Sequence, residues 1–239
     1  MPTIHSTSND GWQQSGIIGG WDNVHDATGA GNPDINDLNR AAAIGYFYSS
    51  GRGTYQIVRS FLDFDTSGIT STLSEATLKV RCAFSYSDNS SVIAVKSGHD
   101  PSTPTDDWFS TWLTGLSGTL SGWGPTDSEV VDYSTHVDAQ MGVGYFDLPL
   151  NSDALSDIKN NNSFKVVLME YDHDYLDVTG ASGFFFTGIN FQENGTGKGP
   201  KIDYELATGY GGDIIGVASA NIQGVSGVTT ANVEKVIGV

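Results

Sequence analysis

Residues 55–64 read YQIVRSFLDF. Successive side chains of a strand point to opposite faces, and here both faces are apolar. Ile57 and Phe61 fall on one face, Val58, Leu62 and Phe64 on the other. Such a strand belongs in the middle of a sheet covered on both sides. Arg59 interrupts the run, so the same pattern predicts a partly buried guanidinium with a counter-charge beside it. Asp65 follows in DFDTSG, where its carboxylate is placed to accept from the next amides and set a turn.

The flanking segments extend this reading. EATLKVRCAFSY (75–86) alternates strictly, with Ala76, Leu78, Val80, Cys82, Phe84 and Tyr86 on one face and Glu75, Thr77, Lys79, Arg81 and Ser85 on the other. That is a half-buried strand. FKVVLMEY (164–171) is again apolar on both faces. SGFFFTGINF (182–191) is rich in β-formers, with Gly188 a predicted bulge. KIDYEL (201–206) turns Ile202, Tyr204 and Leu206 inward. One helix is predicted, in NSDALSDIKNNN (151–162), with Asn151 or Ser152 as its cap, Leu155 and Ile158 on one face, and the Asn run as its stop. Polar loops are predicted for WDNVHDATGAGNPDINDLN (21–39), GHDPSTPTDDW (98–108) and YDHDYLD (171–177). Short strands separated by turn clusters define an all-β class: an antiparallel β-sandwich, jelly-roll-like, with one short helix.

Composition agrees and narrows the partners. Thirty Gly in 239 residues, with 16% charged residues, suit a turn-rich β protein. Eleven Lys and Arg against 28 Asp and Glu give a net charge of −17. Nucleic acid and anionic membrane surfaces require clustered cations, so neither is an expected partner. No apolar run approaches the ~20 residues that span a bilayer. Cys82 is the single cysteine, which leaves no internal disulfide. The opening MPTIHSTSNDGW has neither the basic nor the apolar region of a signal peptide, which predicts folding in a cytoplasm.

After Leu206 the composition changes. ATGYGGD (207–213) reads as a glycine-rich joint, and GVASANIQGVSGVTTANVEKVIGV (216–239) follows it. Gly216-Val217, Gly227-Val228 and Gly238-Val239 recur at a spacing of eleven residues, and Ala220-Asn221-Ile222 answers Ala231-Asn232-Val233. A fixed short period marks a structural repeat. The chain is therefore divided into a β-sandwich module, 1–207, and an ordered apolar C-terminal docking tail, 208–239. Val217, Ile222, Val225, Val228, Val233, Val236 and Val239 each stand to gain ~1.5–3 kcal/mol on burial. They are the predicted assembly interface.

The order of these pieces resembles a known family. YQIVRSFLDFDTSGI (55–69) followed by LSEATLKVRC (73–82) resembles the signature of DNRLRE-type β-sandwich modules: an Arg-x-Phe-Leu-x-Phe-Asp strand, a turn, and a Ser/Ala-Thr-Leu strand. YFDLPLNSDALSDIKNNNSFKVVLMEYD (145–172) is similar to the family's strand, short helix and strand. INFQENGTGKGPKIDYEL (189–206) is similar to its closing hairpin, with Pro200 opening the last strand. Gly68 stands where many relatives have Ser, and PTDDWFSTWLTGLSGTLSGWG (104–124) carries aromatics outside the pattern. DGW (10–12) and VHDATGAG (24–31) resemble versions encoded in bacteriophage genomes. The resemblance implies a bacteriophage virion structural protein that acts by binding, as a capsid decoration or cement protein or as part of the tail and host-adsorption apparatus. It further implies a homo-oligomer, located in the virion, with capsid or tail proteins as partners and a host-surface glycan as a candidate ligand. The same module in bacterial proteins implies the alternative of a carbohydrate-binding module from a surface or polysaccharide-degrading protein.

Catalytic constellations are not found. The sequence has no Gly-x-Ser-x-Gly elbow and no His-Glu-x-x-His pair, and no catalytic residue is predicted. Asp172, Asp174 and Asp177 lie at near-alternate positions in EYDHDYLD, which suits oxygen ligation of Ca²⁺, although the EF-hand glycine and closing Glu are missing. A solvated turn in an acidic protein is the competing reading. Asp34, Asn36 and Asp37 form a second, weaker set. No other cofactor is expected. Trp108, Trp112 and Trp123 sit in a Gly/Ser/Thr-rich stretch, where their flat faces either stack on sugars or pack the ends of the sandwich and its interfaces.

Overall fold

A computed structural model of the chain describes residues 1–15, 19–26, 30–35, 39–85, 91–100, 112–113, 123–138, 144–180, 182–192, 197–207, 224–225 and 228–229. The opening stretch forms β5 (Thr54–Asp65), flanked by β4 (Asn39–Ser49) and β10 (Ser163–Glu170). β5 changes partner along its length. Thr54–Val58 pair with β4, and Ser60–Asp65 pair with β10. The alternating stretch forms β6 (Leu73–Ser85) and does the same: Leu73–Lys79 pair with β12 (Lys201–Leu206), and Cys82–Ser85 with β11 (Phe184–Asn190). Long strands that switch partners are the corners where one sheet folds over another.

Ten of the twelve strands of this sheet lie around those corners or extend from them. β1 (Thr3–His5) pairs with β12, β2 (Gly11–Ser15) with β5 and with β3 (Ala30–Ile35), and β11 with β4. β7 (Ser91–Lys96) pairs with β10 and with β8 (Val137–Asp138), and β9 (Gly144–Pro149) lies along β6. Every pairing among the described residues is antiparallel, so the chain is an all-β, sandwich-like fold.

β5 is covered on both faces, as its pattern requires. Val58, Leu62 and Phe64 pack with Leu78, Val80 and Cys82 of β6, Val166 and Leu168 of β10, and Ile202 of β12 in the main core. On the opposite face, Ile57 packs with Trp21, Val24 and Tyr46, while Phe61 packs with Trp112, Trp123, Val167, Met169 and Tyr175. Gly188 marks a register shift between β11 and β6, the irregularity that an isolated strand glycine predicts. Gly45, at φ +136°, allows β4 to approach β11 so closely that a Cβ there would lie 2.1 Å from the Phe185 carbonyl oxygen.

The predicted helix is α2 (Ser152–Asn160), preceded in the chain by α1 (Trp21–His25). Asn151 Oδ1 accepts from the amides of Asp153 and Ala154, both at 3.1 Å, satisfying two of the N–H groups a helix start leaves open. Ala154 and Ile158 are buried and Leu155 packs against the same core.

Three expectations need correction. The predicted loop 21–39 contains α1 and β3. α1 is only five residues long, too short to show a period, and is held by burying Trp21, Val24 and His25. YDHDYLD is largely a π-turn, Tyr171–Tyr175. Leu206 is 45% exposed, because a register shift between Glu205 and Leu206 breaks the alternation that buries Ile202. In the tail, β13 (Gly224–Val225) and β14 (Val228–Thr229) pair with each other in a separate two-stranded sheet.

Candidate functional site

Residues predicted for three separate roles meet at one buried centre on the outer face of β5. Arg59, between Ile57 and Phe61, is 0% exposed. Its Nε donates to Asp174 Oδ2 at 2.9 Å and its Nη2 to Asp174 Oδ1 at 2.6 Å. This is the two-pronged guanidinium–carboxylate pairing that fixes geometry as well as charge. Nη2 also donates to the His25 carbonyl at 3.4 Å. The guanidinium carbon lies 5.1 Å from the Trp123 ring centre and 5.6 Å from that of Trp112, within cation–π range. The two indoles meet edge to face at 4.9 Å.

His25 completes the centre from α1. Its ring stacks on Trp123 at 4.3 Å. Nε2 is 2.9 Å from the Asp174 carbonyl oxygen, and Nδ1 is 2.9 Å from Asp26 Oδ1 and 3.4 Å from Asp177 Oδ1. Trp21 Nε1 donates to Asp177 Oδ1 at 3.0 Å.

The local sequence explains how Asp174 reaches Arg59. Glu170, buried at the end of β10, accepts from the amides of Asp172, His173 and Asp174 at 3.1, 2.8 and 3.1 Å. One carboxylate thus winds the chain into the π-turn and aims Asp174 inward. Asp177 closes the turn at φ 51°, in the left-handed region that Asp tolerates better than most residues. The bond from His173 to Glu170 raises the His173 pKa above the usual histidine value; burial opposes the shift, and the charges of Glu170 and Asp172 add to it.

These contacts correct two site expectations. Asp172, Asp174 and Asp177 do not converge on a cation: Asp174 is committed to Arg59, and Asp177 to Trp21. Alternate positions share a side in an extended loop, but the i→i+5 winding of a π-turn separates them. Among the described residues no group of three or more His, Cys, Asp or Glu side chains is placed to hold a metal ion. Trp112 and Trp123 are each 1% exposed, so they have no open face for a sugar, and packing is the reading their burial matches. Trp108 lies outside the described residues. Of the second acidic set, Asp34 is a β3 residue paired with Trp12, while Asn36 and Asp37 lie outside the described residues. So do Val217, Ile222, Val233, Val236 and Val239; Val225 and Val228 are paired in register between β13 and β14.

Asp65 behaves as read. The Ser67 hydroxyl and amide donate to its Oδ1 at 2.6 and 3.0 Å and lower its pKa, the hydroxyl contributing most. Sequence reasoning missed His25 and Asp26, and it set Glu170 beside the acidic loop without its role in winding the turn. For His25 the available signal was its spacing of four from Trp21 in WDNVH, one face of a single helical turn.

With Arg59 and Asp174 paired and both fully buried, the centre has the chemistry of a lock. It ties α1, the π-turn, Trp112 and Trp123 onto β5. No protein-family model matches the chain, and no curated protein matches it.

Proposed function

We propose that this is a structural protein of a bacteriophage virion, acting by binding, with the sandwich 1–207 displayed on the particle and the tail 208–239 docked on neighbouring subunits. The observation that carries the reading is that the described residues of the repeat pair with each other rather than with the sandwich strands. β13 and β14 pair with each other and extend none of the twelve main strands, although the repeat around them is rich in apolar side chains. Apolar groups of this kind gain most where a partner covers them. The resemblance to phage-encoded modules supplies the setting, a capsid or tail surface in a homo-oligomeric array. The net charge of −17 favours a soluble, well-dispersed subunit before assembly.

The test is particle incorporation of full-length chain against chain 1–207, with circular dichroism of both. The reading requires a folded 1–207 that no longer joins particles. Incorporation of 1–207 at full occupancy would defeat it.

A further inference from the structure

β8 and β9 are edge strands. Among the described residues β8 pairs only with β7, and β9 only with β6. Ser134 and Leu150 bridge directly just outside them. Between the two strands lies an open groove of about 630 Å³ whose described lining residues are His136, Val137, Asp138, Tyr145, Phe146 and Asp147. Ligand sites commonly have this size, with a few polar groups set among rings.

The rings at this groove are already held. His136 is exposed and stacks on Tyr171 at 3.8 Å and 18°. Tyr171 stacks on Tyr175 at 5.4 Å and 17°, and the Tyr175 hydroxyl donates to Asp132 at 2.6 Å. The result is a column of three near-parallel rings with His136 at its groove end. On the opposite wall the Tyr145 hydroxyl donates to the Gly197 carbonyl at 2.6 Å. Surfaces fixed before a ligand arrives avoid the ordering cost of binding.

The polar groups select the ligand. Asp138 accepts from the Ser91 hydroxyl at 3.2 Å, and Asp147 from Lys79 at 2.7 Å. An ionised carboxylate has about four acceptor positions, so each retains capacity for further donors. No Lys or Arg is among the described lining residues, which disfavours an anionic ligand. Lys79 already neutralises Asp147, and the Lys201 ammonium already lies over the Tyr145 ring at 5.1 Å, which leaves a cation the Asp138 charge alone among the described lining residues. A neutral molecule with a flat apolar face and several hydroxyl donors can use the His136 ring and both carboxylates.

We propose that the β8–β9 groove binds a neutral saccharide, with one pyranose face on His136 and hydroxyls donated to Asp138 and Asp147. The site is distinct from the buried tryptophans.

The test uses the full chain, titrated by NMR with maltotriose, mannotriose and galactotriose, and with triarginine as a contrast. At least one trisaccharide should bind with a Kd of about 1 mM or tighter. His136→Ala should weaken that binding by about tenfold, the scale of one lost ring contact, with the melting temperature unchanged. Asp147→Asn should also weaken it, and His136→Phe should largely retain it. The proposal is overturned if none of the three sugars binds, if only triarginine binds, or if a sugar binds with equal strength to wild type, His136→Ala and Asp147→Asn.

Discussion

Arg59 shows what one residue determines in this molecule. Its pairing with Asp174, between two indoles, leaves either partner intolerant of losing the other. Arg59→Met or Asp174→Leu alone should destabilise the fold by about 3–5 kcal/mol, the usual result of leaving a buried charge unpaired. The double variant should recover much of the loss, and urea unfolding of the three variants would show it. His99 gives a second residue-scale prediction. Burial pushes its pKa down to about 3, the nearby Lys165 charge adding to the effect and Asp100 opposing it. Between its ordinary value of 6.5 and about 3, the unfolded chain takes up a proton that the folded chain refuses. Stability should therefore fall as pH drops through that window, by up to about 1.4 kcal/mol per pH unit from this group. His99→Asn should flatten the slope, measured as melting temperature against pH. A slope unchanged by the substitution would contradict the assignment. His173 has the opposite sign: its raised pKa gives stability that is present at acid pH and lost as pH rises past 6.5 through the raised value. The burial and pairing of Arg59 were legible in YQIVRSFLDF, because a charge in a doubly apolar strand has few alternatives. Its partner was not, since Asp174 lies 115 positions away and its spacing imitates a ligand loop.

At the scale of elements, period and cap chemistry carried most of the legible information. β6 could be read because alternation persists over many residues, β5 and β10 because both faces stay apolar over a full strand length, and α2 because Asn151 and the Asn run bracket it. Asn151→Ala should cost about 1 kcal/mol, the usual value of an N-cap, in thermal or urea unfolding. α1 and β3 were hidden, since a five-residue helix has no period to detect and Pro, Asp and Asn disguised the strand. α1 is placed by burial of Trp21 and Val24 beside Ile57 of β5, and β3 by backbone pairing with β2. The close approach of β4 and β11 at Gly45 was equally invisible, because only the folded backbone brings the Phe185 carbonyl there. Gly45→Ala should destabilise by more than about 1 kcal/mol, since both the positive φ and the clash oppose a side chain. Hydrogen exchange should show the loss concentrated in the β4–β11 pairing.

At the scale of the whole molecule, a locked sandwich and an apolar repeat are joined in one acidic chain. The outer face of β5 is sealed by the Arg59 centre, and the groove between β8 and β9 is open, so rigid support and accessible surface occupy different parts of the sandwich. The central claim is that the repeat is an assembly device. Sedimentation velocity of the full-length chain tests it most directly, beside chain 1–207 and a full-length Val225→Asp, Val236→Asp variant. The account predicts an assembling full-length protein and two folded monomers. If all three sediment as monomers, or all three assemble alike, the repeat is not what joins the subunits and the account is wrong.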